Sequence, residues 1–594
     1  MQGGHPATSQ QDHSTINQAS WPAIHKAGWP TIHKAGWPTI AACRGWLAAI
    51  SARVGWLRVA NHPEWLLGLL AVFWTLALNQ GFLGFAIRSL DLPGLERLRF
   101  AVWLTLSVAA LHWLILLAIA HRWTWRPAMV LLLPAAASAA WFIDRYGIHI
   151  DPSMVRNVLR TDAAEARELL GPGLALQILL YAVLPLLVLW SVPNPARSRL
   201  RASASRLAYL GLAVVLLGGS LLANMQPLSS LMRNYREARY LINPASILWS
   251  LGIALRGDVA RATALRKPIG LNAHPGRLAS NRDRPLRIIV VVGETVRGAN
   301  WGLNGYERDT TPELRRRGVI NFERVRSCGT NTEVSLPCMF APVGRRDYDE
   351  ATIRGSESLL HVLSRAGVEV RWRDNQSGCK GVCAGLPFEQ VGAQDAAACL
   401  AGRCSDQLLF EGLDRFLDQP APTALMVLHM LGNHGPSYWR RYPADRAIFQ
   451  PDCRRDELSQ CSRREIINAY DNGILYTDRL LAALIDQMKA RSDRHDTVVM
   501  FLSDHGESLG ERGLYLHGMP WAIATDEQTW VPWIMWFSPG AEGRVGIDPA
   551  CLATRAKQPA QHDHLFHTLL SLAGVETAIH EPAWDLAAGC RVGQ

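Results

Sequence analysis

The chain has 594 residues, a formal net charge of +10 and 49% hydrophobic residues, and almost all of its positive charge is arginine. This length allows more than one folding unit. The longest basic run extends only from Arg315 to Arg317 and no nucleic-acid-binding motif is present, so the charge favours anionic lipid over nucleic acid as a partner.

Residues 1–60 contain a repeated unit, WPAIHKAG followed by WPTIHKAG and WPTI, which starts at Trp21, Trp29 and Trp37. The proline in each unit prevents a continuous helix, and the segment lacks the apolar core of an export signal. We interpret it as a disordered extension or as translated upstream sequence. A binding repeat is the alternative.

Five apolar segments follow, each close to the roughly 20 residues that a helix needs to cross about 30 Å of hydrocarbon. They cover residues 65–87, 100–120, 127–143, 169–192 and 207–225. Buried core helices are the alternative, but five such segments in succession favour a membrane. We therefore predict a five-helix transmembrane domain over residues 61–225.

Arginines in the short loops predict the orientation of these segments. The second-to-third and fourth-to-fifth loops contain arginine without acid, at Arg122, Arg126, Arg197, Arg199, Arg201 and Arg206, and are expected to face the cytoplasm. Arg88, Arg97 and Arg99, after the first segment, argue against this. An odd number of spans then places the N-terminus inside, and loop 144–168 and everything after residue 225 outside.

Residues 226–282 alternate apolar and basic stretches, which predicts a connector with helices on the membrane surface or an ordinary linker helix. Residues 283–594 have the pattern of a soluble domain. LRIIVVVGE, TALMVLHM and DTVVMFLSDHG are short apolar runs that end in polar residues. Apolar strands of this kind, separated by helical stretches, are typical of an α/β domain with a mostly parallel sheet, in which sites form at the carboxyl ends of strands.

Ten of the 11 cysteines lie between Cys328 and Cys590, and the exception is Cys43. Clustered cysteines indicate disulfides in an oxidising compartment such as the periplasm. A zinc ribbon or free thiols are the alternatives, but the CxxC pairs of a ribbon are missing. We predict local pairing, with Cys551–Cys590 less determined: Cys328 with Cys338, Cys379 with Cys383, Cys399 with Cys404, and Cys453 with Cys461.

Polar residues stand at the carboxyl end of each apolar strand. Glu294 follows the first strand, His429 ends the second with His434 in the next loop, and Asp504 and His505 follow the third. Carboxylate and imidazole are suitable ligands for Zn²⁺. One Asp-His pair is more often structural, but three converging strand ends favour a metal site with a fourth position for a nucleophile or substrate.

The segment SCGTNTEVSLPC, from Ser327 to Cys338, contains the candidate nucleophile. Thr330 lies between the two cysteines, and a hydroxyl becomes nucleophilic when a base or a metal activates it. A helix that starts nearby would also offer free N–H groups to phosphate oxygens. The alternative is that Thr330 only caps this helix.

Six segments resemble the phosphoethanolamine transferases, which include lipid A-modifying and mobile colistin-resistance enzymes of the alkaline phosphatase/sulfatase superfamily. They are VVVGETVRGANWGLNGYERDTTPEL, SCGTNTEVSLPCMF, DNQSGCKGVC, LHMLGNHGPSYWRRY, LSDHGESLGERGLYLHG and DHLFHTLLSLAGV. The resemblance extends from the first apolar segment to the end of the chain. It implies a five-helix membrane domain and a periplasmic α/β domain with a mostly parallel central sheet, in a multi-pass protein of the bacterial inner membrane.

The same resemblance implies the roles of individual residues. Glu294, Thr330, Asp504 and His505 would bind zinc, with Thr330 as the nucleophile that becomes phosphorylated. Lys380, His434 and His517 would handle the phosphoethanolamine group. The periplasmic loop would add substrate contacts from Tyr146, Asn157, Thr161 and Glu165, the last three on one face of a helix because they are spaced by four. Gln376 stands where close relatives have asparagine.

The implied reaction transfers phosphoethanolamine from phosphatidylethanolamine to a lipid A phosphate through phosphothreonine, in a Zn²⁺-dependent, membrane-bound monomer. The added amine would give resistance to cationic peptides such as polymyxins. Alternatives are core sugars or glucans as acceptors, a phosphoglycerol transferase or sulfatase on the same scaffold, or a non-catalytic membrane sensor. SCGTNT lacks the formylglycine-precursor pattern of sulfatases, and the expected ligands are all present.

Overall fold

The computed structural model describes residues 63–119, 121, 123–161, 163–191, 198–262, 266–280, 283–391, 399–400 and 403–592. The predicted disordered extension over residues 1–60 lies outside the described residues, as do the loop arginines Arg122 and Arg197.

The amino-terminal part of the described chain is helical. The bounds are α1 Pro63–Leu78, α2 Gln80–Arg88, α3 Gly94–Ile119, α4 Trp125–Tyr146, α5 Pro152–Arg160, α6 Ala163–Leu169, α7 Pro172–Ser191, α8 Arg199–Ala223, α9 Met225–Asn234 and α10 Ala245–Ala262. By length and composition, α3, α4, α7 and α8 are suited to cross a membrane. The pair α1 and α2, bent by 63°, makes up the predicted five when it is counted as one span.

The bend between α1 and α2 lies at Asn79, whose side chain forms hydrogen bonds with the connector. Its amide donates to the carbonyl of Trp74 at 2.8 Å and to that of Asn243 at 2.6 Å, and its oxygen accepts from the Asn243 N–H at 2.9 Å. A buried amide needs such partners. The bend therefore depends on a contact between residues 164 positions apart.

The connector packs against the loop that follows α4. It consists of α9, a 3₁₀ helix Arg236–Leu241 and α10. The Ser250 hydroxyl of α10 donates to the carbonyl of Ile150 at 2.8 Å, and the Ile150 N–H donates to the carbonyl of Tyr240 at 3.1 Å. These bonds hold the loop before α5 against the connector. The boundaries of the connector and its place on the membrane surface stay predictions.

An eight-stranded sheet forms the centre of the second part of the chain. Its strands are β1 Leu286–Gly293, β2 Ile320–Arg326, β3 Glu369–Asp374, β4 Phe388–Gln390, β5 Thr423–His429, β6 Asp496–Ser503, β7 Trp530–Phe537 and β8 Ala560–Gln561. They lie in the order β8–β2–β7–β6–β1–β5–β3–β4, and every neighbouring pair is parallel except the two that involve β7. The predicted mostly parallel sheet is confirmed.

Both faces of the sheet are covered. On β1, Ile288 and Val290 belong to one apolar core, whereas Ile289 and Val291 point to the other, which explains its unbroken apolar run. The α-helices of five or more residues here are α11 Pro312–Arg316, α12 Thr332–Met339, α13 Glu350–Gly355, α14 Leu359–Arg365, α15 Arg463–Lys489, α16 Pro549–Arg555 and α17 Asp563–Ala573.

The four predicted local disulfides are present, and Cys551 pairs with Cys590. Cys328–Cys338 closes the segment that contains most of α12, and Cys379–Cys383 closes the turn that carries Lys380. Two of the five cross-links therefore constrain segments that the sequence connects with chemistry.

Candidate active site

Two neighbouring strands end side by side and bring together Glu294, Asp504 and His505. Gly293 at the end of β1 pairs with Ser503 at the end of β6, so the residues that follow meet at the carboxyl edge of the sheet. The Asp504 N–H donates to the Gly293 carbonyl at 2.9 Å. All three side chains are fully buried.

The three side chains converge on one point. His505 Nε2 lies 3.1 Å from Glu294 Oε1 and 3.3 Å from Asp504 Oδ2, and the ligand atoms of the three residues all lie within 4.8 Å of one another. His505 Nδ1 lies 2.9 Å from the Gly506 carbonyl, which can only accept a hydrogen bond. Nδ1 therefore carries the proton, and Nε2 can offer its lone pair to a cation.

The hydroxyl that reaches this cluster belongs to Thr332, the first residue of α12. It donates to Glu294 Oε2 at 2.9 Å and lies 3.4 Å from His505 Nε2. Asn331 is the N-cap of α12, and its side-chain oxygen accepts the N–H of Val334 at 3.0 Å. The remaining free N–H groups of the first turn favour negative charge next to the Thr332 hydroxyl.

Thr330, the predicted nucleophile and fourth ligand, points elsewhere. Its hydroxyl donates to the carbonyl of Met519 at 2.6 Å, and its own carbonyl accepts the N–H of Gly518 at 2.8 Å. Both bonds hold the loop that contains Gly518 and Met519. The prediction of Thr330 as the hydroxyl at the cluster is therefore wrong, because α12 starts two residues later and directs Thr332 to Glu294.

The cluster has the properties of a site for a divalent cation. Glu294 Oε1 and Asp504 Oδ2 are buried and accept no hydrogen bond from the described residues. Burial and the neighbouring Glu294 carboxylate raise the pKa of Asp504 above its ordinary value. A cation would satisfy both oxygens. Two carboxylates, one imidazole and one hydroxyl form a donor set that fits Zn²⁺.

His517 and His434 form one wall beside the cluster. The ring centroid of His517 lies 4.6 Å from that of His505 and 5.2 Å from that of His434. His517 Nδ1 lies 2.8 Å from Oε2 of the buried Glu507, whose other oxygen accepts the Tyr438 hydroxyl at 2.6 Å. Glu507 therefore fixes the ring of His517 and leaves Nε2 for other partners.

Gln376 forms a hydrogen bond with the cluster, whereas Lys380, four residues later in the chain, bonds to Ser377 instead. The side-chain amide of Gln376 donates to Glu294 Oε2, and its backbone N–H donates to Asp374 Oδ1 at 2.8 Å. Asp374 Oδ2 in turn lies 3.0 Å from His429 Nδ1. The ammonium of Lys380 donates to the Ser377 hydroxyl at 2.5 Å, and among the described residues no hydrogen bond joins it to the cluster.

The loop after α4 also reaches the site. Glu165 Oε1 lies 3.2 Å from His434 Nε2, and Glu168 pairs with Arg441, which donates to the His434 carbonyl at 2.7 Å. Tyr146, at the end of α4, is buried in the apolar core that includes Leu516. The membrane part of the chain therefore supplies one side of the site.

The expectation of one helix face for Asn157, Thr161 and Glu165 is wrong. α5 ends at Arg160, Thr161 is extended with ψ of 130°, and Glu165 lies on the separate helix α6. The Thr161 hydroxyl donates to the Asn157 carbonyl at 2.8 Å, which satisfies the last turn of α5. Of these three residues, Glu165 contacts His434.

Sequence reasoning missed Thr332 and Glu507. The signal for Thr332 was present, since Asn331 is a preferred N-cap residue and a hydroxyl after it stands at the positive end of the helix. Glu507 follows the cluster by two residues, in SDHGES, and nothing local indicates that it contacts His517.

Known proteins resemble the chain over nearly its whole described length. Residues 108–259 match the family "Phosphoethanolamine transferase EptA/EptB", and residues 287–575 match the sulfatase family. Phosphoethanolamine transferase EptA of Escherichia coli K12 is 37% identical over 537 residues, which is 89% of this chain and 97% of that protein. Phosphatidylethanolamine transferase Mcr-1 of Escherichia coli is 35% identical over 534 residues, which is 88% of this chain and 96% of that protein.

A solved structure resembles the fold as well. The integral membrane lipooligosaccharide phosphoethanolamine transferase A from Neisseria meningitidis superposes with a TM-score of 0.85 at 35% identity. The match covers 89% of this chain and 98% of that structure. It therefore includes both the membrane helices and the domain with the central sheet.

Proposed function

The chain belongs to the phosphoethanolamine transferase family, as an integral inner-membrane protein with a periplasmic sulfatase-like domain, and from this premise we propose its reaction. It transfers phosphoethanolamine from phosphatidylethanolamine to a phosphate of lipid A through a phosphothreonine on Thr332. The observation that carries this proposal is the Thr332 hydroxyl, 2.9 Å from Glu294 Oε2 in a buried carboxylate–imidazole cluster.

The cluster would hold Zn²⁺ through Glu294, Asp504, His505 and the Thr332 hydroxyl, and the bound ion would lower the pKa of that hydroxyl. Glu294 Oε2 accepts the hydrogen bond of the Thr332 hydroxyl, so this carboxylate is the nearest group that can take the hydroxyl proton when the oxygen attacks. The free N–H groups of α12 face the oxygens of the incoming phosphoryl group.

In the first displacement, Thr332 Oγ1 forms a bond with the donor phosphorus, and the bond from phosphorus to the diacylglycerol oxygen breaks. That oxygen needs a proton as it leaves. His517 is the acid we assign, because Glu507 orients Nδ1 and leaves Nε2 to face the substrate. His434, held by Glu165, lies on the same wall.

In the second displacement, an acceptor phosphate oxygen attacks the phosphorus on Thr332. The Thr332–phosphorus bond breaks, the threonine oxygen regains the proton that Glu294 took, and the proton of the acceptor phosphate hydroxyl passes to His517. The solved relative from Neisseria meningitidis is a lipooligosaccharide phosphoethanolamine transferase, which supports a phosphorylated glycolipid as acceptor. The product carries an added amine, which lowers the negative charge of the cell surface and weakens binding of cationic peptides such as polymyxins.

Two mass measurements test this proposal. Full-length protein incubated with phosphatidylethanolamine should gain the mass of one phosphoethanolamine on the peptide that contains Thr332. Lipid A from cells that express the chain should gain the same group. If the Thr332 peptide carried phosphoethanolamine but lipid A stayed unmodified, the acceptor would be another molecule, such as core sugars or glucans. Glycerol phosphate on the Thr332 peptide would contradict the proposed donor.

A further inference from the structure

A cavity of about 670 Å³ lies beside the cluster, between the loop after α4, the connector and the sheet domain. Arg160 of α5, Asp258 of α10 and Pro337 of α12 line it. Where the structure describes the chain, the lining includes none of the four groups of the cluster. The cavity is therefore a space next to the reaction centre rather than the centre itself.

Two of the four basic side chains in the lining are neutralised. Arg160 and Arg354 both pair with the fully buried Glu333, the second at 2.7 Å. Arg160 also lies 3.3 Å from Asp258. The acidic Glu357 in the lining pairs with Arg365 at 2.6 Å. These ion pairs connect the walls of the cavity, and the paired side chains leave little net charge to attract an ionic ligand.

The other two cations, Arg266 and Lys380, pair with no carboxylate among the described residues. The guanidinium of Arg266 donates to the carbonyl of Gly381, and the ammonium of Lys380 donates to Ser377. Both line the cavity. A half-buried cation without a counter-charge is costly, which favours an anion as its partner in the working enzyme.

The backbone under Arg266 has a conformation that keeps this cation in place. In the turn closed by Cys379–Cys383, Lys380 has φ of 48° and Gly381 has φ of 91°. A Cβ on Gly381 would lie 2.5 Å from a terminal nitrogen of Arg266. Glycine is favoured at this position by its positive φ, and the guanidinium of Arg266 covers it.

The cavity is close to the reacting hydroxyl but separate from it. α12 has Thr332 at its first turn and Pro337 in the cavity wall, and five residues of helix span about 8 Å. A phosphate bound beside Pro337 would lie about that far from Thr332, which points to a group in another part of a bound substrate.

We propose that this cavity binds a second, non-reacting phosphate group of the acceptor glycolipid, held by Arg266. The inference rests on the proposed function, because it needs a phosphorylated acceptor. Arginine suits this role since its planar fork can donate two hydrogen bonds to one phosphate. The chain would thus prefer acceptors with two phosphates to acceptors with one.

Binding to the full-length Thr332→Ala protein tests the inference without transfer. The probes are a phosphorylated glucosamine disaccharide with two phosphates and the same disaccharide with one. Arg266→Gln should weaken binding of the first about tenfold, as expected for loss of one charge-assisted contact, and leave the second unchanged. The exposed neighbour Lys267→Gln is the matched control and should change neither.

A kinetic arm separates the donor from the acceptor as the source of the phosphate. In the active chain, Arg266→Gln should form phosphothreonine from phosphatidylethanolamine at the normal rate and raise KM only for the two-phosphate acceptor. Slower phosphothreonine formation would place the donor phosphate in the cavity and overturn the inference. The inference would also be overturned if Arg266→Gln weakened binding of both disaccharides equally, or if it weakened binding of neither. Absence of phosphothreonine in the unaltered chain would contradict the proposed function, and the binding arm would still decide the inference.

Discussion

The carboxylate of Glu165, on α6 of the membrane domain, lies 3.2 Å from Nε2 of His434 in the sheet domain. Three more ion pairs cross the same boundary: Glu168 with Arg441, Arg160 with Glu333 and Arg156 with Glu350. Most of these side chains are at least half-buried, where charge pairs are sensitive to the loss of one partner. The active site is therefore complete only when the loop is docked.

We predict that docking of this loop weakens as the pH rises from about 7 to above 9. Burial opposes protonation of His434, but the adjacent Glu165 carboxylate prevails and raises its pKa to about 9. Because this pKa is above the ordinary value of about 6.5, the stabilisation is complete below that value and is lost as the pH passes through 9. Hydrogen exchange of α6, corrected for intrinsic rates, should increase over this range.

Glu165→Gln is the matched variant for this experiment. It keeps the shape of the side chain but removes the charge that favours protonated His434, so α6 should exchange faster at pH 7 and show a smaller pH step. Asp258→Asn, which alters another, half-buried partner of Arg160, should retain the step. An unchanged step in Glu165→Gln would contradict the assigned ion pair.

Thr332→Ala should abolish transfer and leave the fold intact. Its hydroxyl is the group at the cluster, and its removal leaves no nucleophile. Thr330→Ala should keep transfer and lose only about 1 kcal/mol of stability, the typical value of the one hydrogen bond that it removes. Thr332→Ser retains a hydroxyl and serves as the positive control. If Thr332→Ala still transferred phosphoethanolamine and Thr330→Ala did not, Thr330 would be the nucleophile.

Removal of divalent metal should abolish transfer and lower the melting temperature. A ligand that binds only the folded state adds about 2.7 kcal/mol at one hundred times its dissociation constant. Zn²⁺ added to the stripped protein should therefore raise the melting temperature of the unaltered chain and not that of Asp504→Asn. Asp526→Asn, which alters an exposed carboxylate paired with Arg326, should respond like the unaltered chain. An equal shift in Asp504→Asn would place the metal elsewhere.

Local patterns predicted the features that depend on local chemistry. The apolar run over β1 and the polar residues at its end predicted both the buried strand and Glu294. The bend at Asn79 and the break at Thr161 could not be predicted in this way. The bend depends on a hydrogen bond with Asn243, which is distant in sequence. At the break, the Thr161 hydroxyl bonds to the Asn157 carbonyl and ends the helix, although the spacing of polar residues suggested that it continues. The nucleophile was assigned to Thr330 from the resemblance alone, whereas the structure places the hydroxyl of Thr332, the first residue of α12, on Glu294.

Glu507 provides the last prediction, because its effect on the reaction is indirect. It is fully buried, and its two oxygens contact Tyr438 and His517 at 2.6 and 2.8 Å. Glu507→Gln keeps the size of the side chain but removes the carboxylate that accepts from Nδ1 and supports the charged ring from which Nε2 donates. Its amide can instead donate to Nδ1, which favours the neutral tautomer with the proton on Nε2. We expect kcat to fall about 10- to 100-fold, as for other groups that orient a catalytic imidazole. KM for phosphatidylethanolamine should change little. Nitrogen chemical shifts of His517 should report the exchanged tautomer, which a purely structural role would not produce.

Glu511→Gln, in the same loop and paired with Arg297 instead, is the control that should retain the native tautomer and rate. A Glu507→Gln protein with normal kcat would remove His517 from the role of acid and leave His434 as the group that protonates the leaving oxygen.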